Sequence, residues 1–213
     1  SPELGDGGQA TAATLTHPGG VAVDADGNLI IADHEGNRIR KVDEEGVITT
    51  IAGTGEAAFG GDGGPAVKAR LNGLADVSID AEGNIYVPDR DNQRIRKIDS
   101  GGNISTIAGT GERGFSGDGG PARSARLNSP LDVVFDSLGN IYVADTQNHR
   151  VRKIDSSGII STVAGSQGGF SGDGGPAASA SLISPAGLAF DSAGNLYIAD
   201  TGNNRIRKLT PTR

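Results

Sequence analysis

The sequence contains no cysteine, no methionine and no tryptophan, and only 4% of it is aromatic. Without cysteine there are no disulfides and no thiolate metal ligands, so packing and hydrogen bonds must hold the fold. So few aromatic residues exclude a core built around bulky rings. No apolar run approaches the ~20 residues that a membrane-spanning helix needs, and no membrane span is expected. Basic residues are outnumbered, with 19 Lys and Arg against 26 Asp and Glu and a net charge of −7. That balance lacks the basic footprint of a general nucleic-acid binder, so nucleic acid is not an expected partner. A complete translation product begins with methionine. A chain that opens on Ser1 is therefore expected to be a mature, processed or excised piece. The expected setting for a cysteine-free β array is extracellular or periplasmic.

Glycine is abundant, at 35 of 213 residues, and the chain repeats itself. Gly-Asp-Gly-Gly recurs at 5–8, 61–64, 117–120 and 172–175. The spacing is 62 − 6 = 56, 118 − 62 = 56 and 173 − 118 = 55 residues. What lies between these markers recurs in register, giving repeats at 5–60, 61–116, 117–171 and 172–213 within one expected domain, 1–213. A period of this length means stacked units, none of which buries its faces alone.

The third copy is the clearest. Residues 130–136 (Pro-Leu-Asp-Val-Val-Phe-Asp) predict a strand, and Ser137-Leu138-Gly139-Asn140 a turn in which Gly supplies positive φ. Residues 141–145 predict a second strand, 150–155 a third and 159–164 a fourth, with polar loops at 146–149 and 156–158. Four short strands joined by tight turns make an antiparallel meander, and tandem meanders suggest propeller blades. The innermost strand should carry the smallest residues, as Gly19-Gly20-Val21-Ala22-Val23 does. No stretch sustains a helical period. The Pro-Ala-x-x-Ala-x-Leu pieces at 65–71, 121–127 and 176–182 allow one short turn of helix each. Pro88 replaces an otherwise constant Ala and predicts a local irregularity in the second strand of its copy.

Residues 139–154, Gly-Asn-Ile-Tyr-Val-Ala-Asp-Thr-Gln-Asn-His-Arg-Val-Arg-Lys-Ile, resemble the NHL repeat, a β-propeller unit with a strand, an Asp-x-x-Asn-x-Arg loop and a strand. The other copies match at 27–42, 83–98 and 194–209, so the resemblance covers nearly the whole chain. It implies an all-β propeller of four-stranded antiparallel blades. It does not select a function, because such propellers include ligand-binding domains, protein-interaction modules, RNA binders and a few lyases. They commonly have about six blades, whereas this chain supplies four repeats, the last without its outer strand. A compact ring, two chains joined in one ring and a fragment of a longer propeller all satisfy that count. Association, such as a homo-oligomer completing the ring, or excision is the expectation.

In an alternating meander, the loops after the second strand lie at the same end as the connections between copies. Those loops are long and polar, while the other end carries only tight hairpins, so the first end is the expected binding face. Its variable residues are His34, Glu35, Arg90, Asp91, Gln93, Gln147, His149 and Asn204. Asp33, Asp89, Asp145 and Asp200 each stand five residues before Arg38, Arg94, Arg150 and Arg205, and each pair is expected to close its own loop as a structural ion pair. The four Arg-x-Arg-Lys-like strands hold 12 of the 19 basic residues and read as solvated blade surface. Asp in Gly-Asp-Gly-Gly reads as a cap for the Pro-Ala turn or an acceptor of loop N–H groups. At the mouth of the innermost strand the column is Gly20, Asp76, Asp132 and Gly187, making Asp76 and Asp132 axial candidates for calcium, another divalent cation or a polar ligand. Asp24-Ala25-Asp26-Gly27-Asn28 opens like a calcium loop but lacks the later bidentate Glu, and reads as a hairpin turn.

No catalytic constellation appears. His17, His34 and His149 fall at unequal repeat positions with no metal-ligand spacing. NHL-like lyases place histidines about the axis, and only His34 and His149 lie on the appropriate face. The expected function is a non-catalytic interaction or scaffold domain with a protein or glycan partner and no obligatory cofactor. The alternatives are a metal-assisted lyase or hydrolase using Asp76, Asp132 and a histidine, and an amplified or engineered repeat protein without an evolved ligand.

Overall fold

The computed structural model describes residues 4–210. The first sheet contains β1 (Pro18–Val23), β2 (Leu29–Asp33), β3 (Arg38–Val42) and β4 (Ile48–Ala52). The second contains β5 (Ser78–Ile79), β6 (Ile85–Asp89), β7 (Arg94–Ile98) and β8 (Ile104–Ala108). The third contains β9 (Pro130–Phe135), β10 (Ile141–Asp145), β11 (Arg150–Ile154) and β12 (Ile160–Ala164). The last contains β13 (Pro185–Phe190), β14 (Leu196–Asp200) and β15 (Arg205–Leu209). Among the described residues each sheet is an antiparallel meander in sequence order, with four strands in the first three and three in the last. The all-β, propeller-blade reading is therefore observed, including the incomplete final blade.

The chain divides into two compact units, Ser1–Thr106 and Ile107–Arg213, the division falling inside β8. In the first unit, Ile30, Ala32, Ile39, Leu71, Leu74, Val87 and Ile104 belong to one buried cluster. In the second, Ala144, Val151, Ala164, Leu182, Leu188, Leu196 and Ile198 form another. Ala66, Ala69 and Leu71 of the first Pro-Ala-x-x-Ala-x-Leu connection belong to the first cluster and Leu182 of the last to the second, while Ala122, Ala125 and Leu127 are likewise buried. Each piece contains one 3-10 turn, at Ala66–Lys68, Ala122–Ser124 and Ala177–Ser179.

The outer strands are covered by the glycine-rich segments that open their own repeats. Gly63 N–H donates to Ile104 O at 2.8 Å, and Ile104 N–H to Gly64 O at 3.0 Å. Gly7 and Gly8 do the same for Ile48, and Gly119 and Gly120 for Ile160. The cover satisfies edge groups that would otherwise invite pairing with another chain.

Pro88 leaves its own strand in register, opposite Ile95 on β7. The irregularity lies in its other neighbour. β5 has shrunk to two residues, where β1, β9 and β13 have six. A proline has no N–H to offer that side of the ladder.

Candidate interaction face

In three copies the aspartate ending the second strand meets an arginine of the third strand, but a different one from the five-residue pairing expected, whereas Asp33 accepts the Thr16 N–H and forms no such pair among the described residues. Asp89 Oδ2 lies 3.0 Å from Arg96 Nη1, Asp145 Oδ2 3.2 Å from Arg152 Nη1, and Asp200 Oδ2 3.2 Å from Arg207 Nη1. The arginine at plus five turns outward. Arg94, Arg150 and Arg205 donate Nη1 to the carbonyls of Asn92, Asn148 and Asn203, and Arg38 donates to Gly36 and Thr54. Burial explains the exchange. Arg96 and Arg152 are wholly enclosed, as are Asp89 and Asp145, and two charges removed from water must neutralise one another. Arg94 and Arg150 stay partly in solvent. Burial pushes the Asp89 and Asp145 carboxyls up, opposed first by the Asn92 and Asn148 amides and then by backbone N–H groups and the arginines.

A second carboxylate completes this latch. Asp6, Asp62, Asp118 and Asp173, from the Gly-Asp-Gly-Gly segments, lie 2.8, 2.7, 2.7 and 2.6 Å from Arg40, Arg96, Arg152 and Arg207. The separation is constant: 40 − 6, 96 − 62, 152 − 118 and 207 − 173 are each 34 residues. The 3-10 turns receive no side-chain cap, so the capping expectation for these aspartates gives way to the ion pair. Phe59, Phe115 and Phe170 complete the arrangement, with guanidinium carbons of Arg94, Arg150 and Arg205 3.6, 3.9 and 4.0 Å from the ring centroids. These rings are partly exposed yet engaged in cation–π contacts. The inner arginine of each copy is thus spent on an internal ion pair.

The loop residues divide into structural and exposed groups. Asn37, Gln93, His149 and Asn204 occupy left-handed backbone at φ 51, 55, 57 and 52°. Gln93 is only 1% exposed and donates to Asp91 O, so the structure corrects its assignment to an accessible face. Asn37 Oδ1 accepts Gly73 N–H at 2.9 Å, and His149 Nδ1 accepts Ser184 N–H at 3.1 Å, which puts the neutral ring's proton on Nε2. His34 Nδ1 lies 2.9 Å from Leu74 O; a carbonyl only accepts, so this ring nitrogen carries the proton. Both histidines therefore tie a loop to the next connection. Asp91, Gln147 and Asn204 are exposed and Arg90 is half-buried beside Asp91.

The axial candidates have partners within their own units. Asp76 lies against Gly20, where a Cβ would overlap its carboxylate, and its Oδ1 accepts Val77 N–H. Asp132 is buried and its Oδ2 accepts Leu188 N–H at 2.6 Å. Glycine at position 20 makes room for the acid of the next repeat. Among the described residues no cluster of three or more His, Cys, Asp or Glu has a metal-binding arrangement, and no helix is long and apolar enough to cross a membrane. Asp24 spends its Oδ1 on the N–H groups of Asp26 and Asn28, closing the hairpin expected there.

The sequence profile of the teneurin NHL domain matches residues 1–59 and 110–171, and that of the NHL repeat matches 182–209. The chain belongs to the teneurin NHL domain family. Teneurin-4 of Mus musculus is 34% identical over 230 residues, covering 95% of this chain. Teneurin-1 of Gallus gallus is 31% identical over 233 residues, covering 97%. The chain spans 8% of the length of each of these teneurins. Among solved structures, a Bacteroides thetaiotaomicron protein of unknown function matches with a TM-score of 0.72 at 22% identity, covering 90% of this chain and 46% of that one. A streptogramin B lyase matches with a TM-score of 0.64 at 16% identity, covering 93% and 53%. At these identities the likeness to the solved structures speaks for the fold alone. The teneurin NHL kinship rests on sequence, and the Arg–Asp–Phe latch is what this chain's repeat motif contributes structurally.

Proposed function

We propose that the chain is a non-catalytic interaction domain that binds a protein or glycan partner through the loops following the second strand of each repeat. One observation carries this reading. The inner arginine of each copy, with its aspartates, is consumed in an internal latch, whereas the side chains left in water at these loops are polar and differ from copy to copy. Asp91, Gln147 and Asn204 are exposed, and their variety suits a surface that distinguishes partners. An extracellular or periplasmic setting is part of the same reading.

The test is a screen of the 213-residue chain against immobilised glycans and a display library of cell-surface ectodomains. A specific binder should lose at least tenfold in affinity with Arg90→Ala plus Asp91→Ala, or with Gln147→Ala. Leu138→Ala, in a hairpin at the other strand ends, should leave it unchanged. A binder that responds to Leu138→Ala and ignores the loop variants would overturn the reading.

A further inference from the structure

Within the second unit, the hairpin joining β9 to β10 and the hairpin joining β13 to β14 wall a cavity of about 330 Å³. That is the lower end of the range in which small-molecule sites fall. Tyr142 and Phe190 line it, packed edge to face with ring centroids 4.9 Å apart and planes at 77°. Leu138 lines it too and is 82% exposed. Among the described residues, Asp136 and Asp191 supply the only charged side chains of the lining, and Leu209 is its only residue from β15. The rest comes from the two hairpins, earlier in the chain.

The fold does not demand this aromatic pair. Counted from the aspartate that opens each hairpin, Tyr142 corresponds to Ile30 of the first repeat and Phe190 to Ile79 of the second. Ile30 is a buried member of the first unit's apolar cluster, and Ile79 packs against it. Tyr142 and Phe190 are half-buried. The last two repeats therefore carry rings where the first two carry an aliphatic pair, and the rings stand beside two carboxylates that lack a counterion. Asp191 Oδ1 accepts the N–H groups of Ala193 and Asn195, and its Oδ2 accepts the Asn195 amide and the Tyr197 hydroxyl. These donors, the Asn195 amide first, hold the Asp191 carboxyl below its ordinary value, and their counterparts outweigh burial at Asp136. Both groups stay anionic, and neither has an ion-pair partner among the described residues. Lys153 and Lys208, outside the lining, lie instead over the rings of Tyr142 and Tyr197, 5.8 and 5.5 Å from the centroids.

We propose that this cavity binds a small organic cation of the quaternary ammonium class, with its methyl groups against Tyr142, Phe190 and Leu138 and its charge compensated by Asp136 and Asp191. The chemistry of the lining selects that class. Aromatic rings attract a cation through their quadrupole, and the attraction grows as water is excluded. A quaternary ammonium has no N–H groups, so it gives up no hydrogen bonds on entering. The carboxylate oxygens are already occupied by turn donors and offer charge rather than free acceptors. A primary ammonium or a guanidinium would leave its donors unmet there, which costs free energy. An anion would be repelled by both acids. The hairpins stand apart from the loops proposed above, and the inference does not rest on those loops.

The experiment titrates choline chloride into the 213-residue chain and follows amide shifts by NMR. Saturable shifts centred on the two hairpins are expected. The neutral carbon isostere of choline, with a tert-butyl group in place of trimethylammonium, should bind at least tenfold more weakly. Leu138→Lys sets a like charge beside the cavity and should weaken choline at least tenfold, whereas Leu138→Glu should not weaken it. Position 138 is exposed, and an unchanged melting temperature checks that both variants fold. Phe190→Leu keeps an apolar side chain but removes the ring, and should also cost at least tenfold. If that variant does not fold, the opposite charges at 138 still decide. Arg90→Ala plus Asp91→Ala should leave choline binding unchanged, which keeps this site's failure distinct from failure of the loop reading. Absence of saturable shifts at millimolar choline, equal binding of the isostere, or equal responses to Leu138→Lys and Leu138→Glu would overturn the proposal. So would indifference to Phe190→Leu in a folded variant, or shifts centred outside the two hairpins.

Discussion

At the scale of single residues, the two arginines of the Arg-x-Arg motif have opposite fates, and their energetics should differ accordingly. Arg152 is enclosed between Asp145 and Asp118. Removing it leaves Asp145 buried without its counterion, and Arg152→Ala should cost about 3–5 kcal/mol. Arg150 is partly solvated, stacks on Phe115 and donates to two carbonyls. Its loss should cost only about 1 kcal/mol, typical of a partly exposed cation–π contact. Urea midpoints of the two variants measure the difference, and equal costs would mean that Asp145 pairs with Arg150 after all. The gap between Arg152→Ala and the parent should also narrow in acid, where Asp145 becomes protonated and no longer needs a counterion. The sequence made the Asp and Arg columns legible but left their pairing open. Asp145 stands directly opposite Arg150 in the register, yet its carboxylate reaches diagonally to Arg152. Which arginine it meets depends on which is buried. The second carboxylate was missed for another reason. Asp118 lies 34 residues before Arg152, and only a comparison of two repeating columns at constant separation would have linked them.

At the scale of elements, the strands were readable almost to the residue. The third copy's second strand was expected at 141–145 and is β10, Ile141–Asp145; its third and fourth strands differ from expectation by one residue at one end. Period-two patterning and glycine turns suffice where each turn closes on itself. The hairpin between β9 and β10 is such a closed turn. Asp136 Oδ1 accepts the N–H groups of Leu138 and Asn140, its Oδ2 accepts the Asn140 amide and the Tyr142 hydroxyl, and Gly139 takes φ 77°. Burial opposes ionisation of Asp136, but the Asn140 amide, the backbone donors and Tyr142 together outweigh it and hold the carboxyl below its ordinary value. Tyr142 is pushed up to about 12, first by burial and then by the Asp136 charge. The sign follows from linkage. A carboxyl whose folded pKa is depressed contributes stability that is present above its unfolded pKa, and the contribution is lost as pH falls through the folded value. The melting temperature should therefore drop below pH ~4, and Asp136→Asn should flatten part of that drop. A parent and variant with parallel melting curves from pH 7 to pH 3 would remove the turn from the account. The shortening of β5 beside Pro88 was not legible, since the sequence located the irregularity on the proline's own strand and the cost fell on its partner.

At the scale of the molecule, the repeat predicts the order and pairing of the strands. Counting strands in the sequence left the fourth repeat without its outer strand, and the structure adds that the place for it is already shaped. Supplying that strand in the same chain tests the place directly. Appending Ile-Ile-Ser-Thr-Val-Ala-Gly after Arg213 leaves four residues between β15 and the first Ile, the same number as the Asp155–Gly158 segment that precedes Ile159 in the third repeat. The appended strand would bury the Ile206 side chain, worth about 1.5–3 kcal/mol, and satisfy the outer edge of β15. Ordering five new residues opposes this at about 1–2 kcal/mol each, so the net change in melting temperature is not the decisive reading. Exchange protection is decisive, because it reports occupancy directly. In the extended chain the β15 amides should be protected to the level of β11. Ile206→Lys should reverse the protection. An extended chain whose β15 amides exchange as fast as before would show that the added segment does not pair with β15.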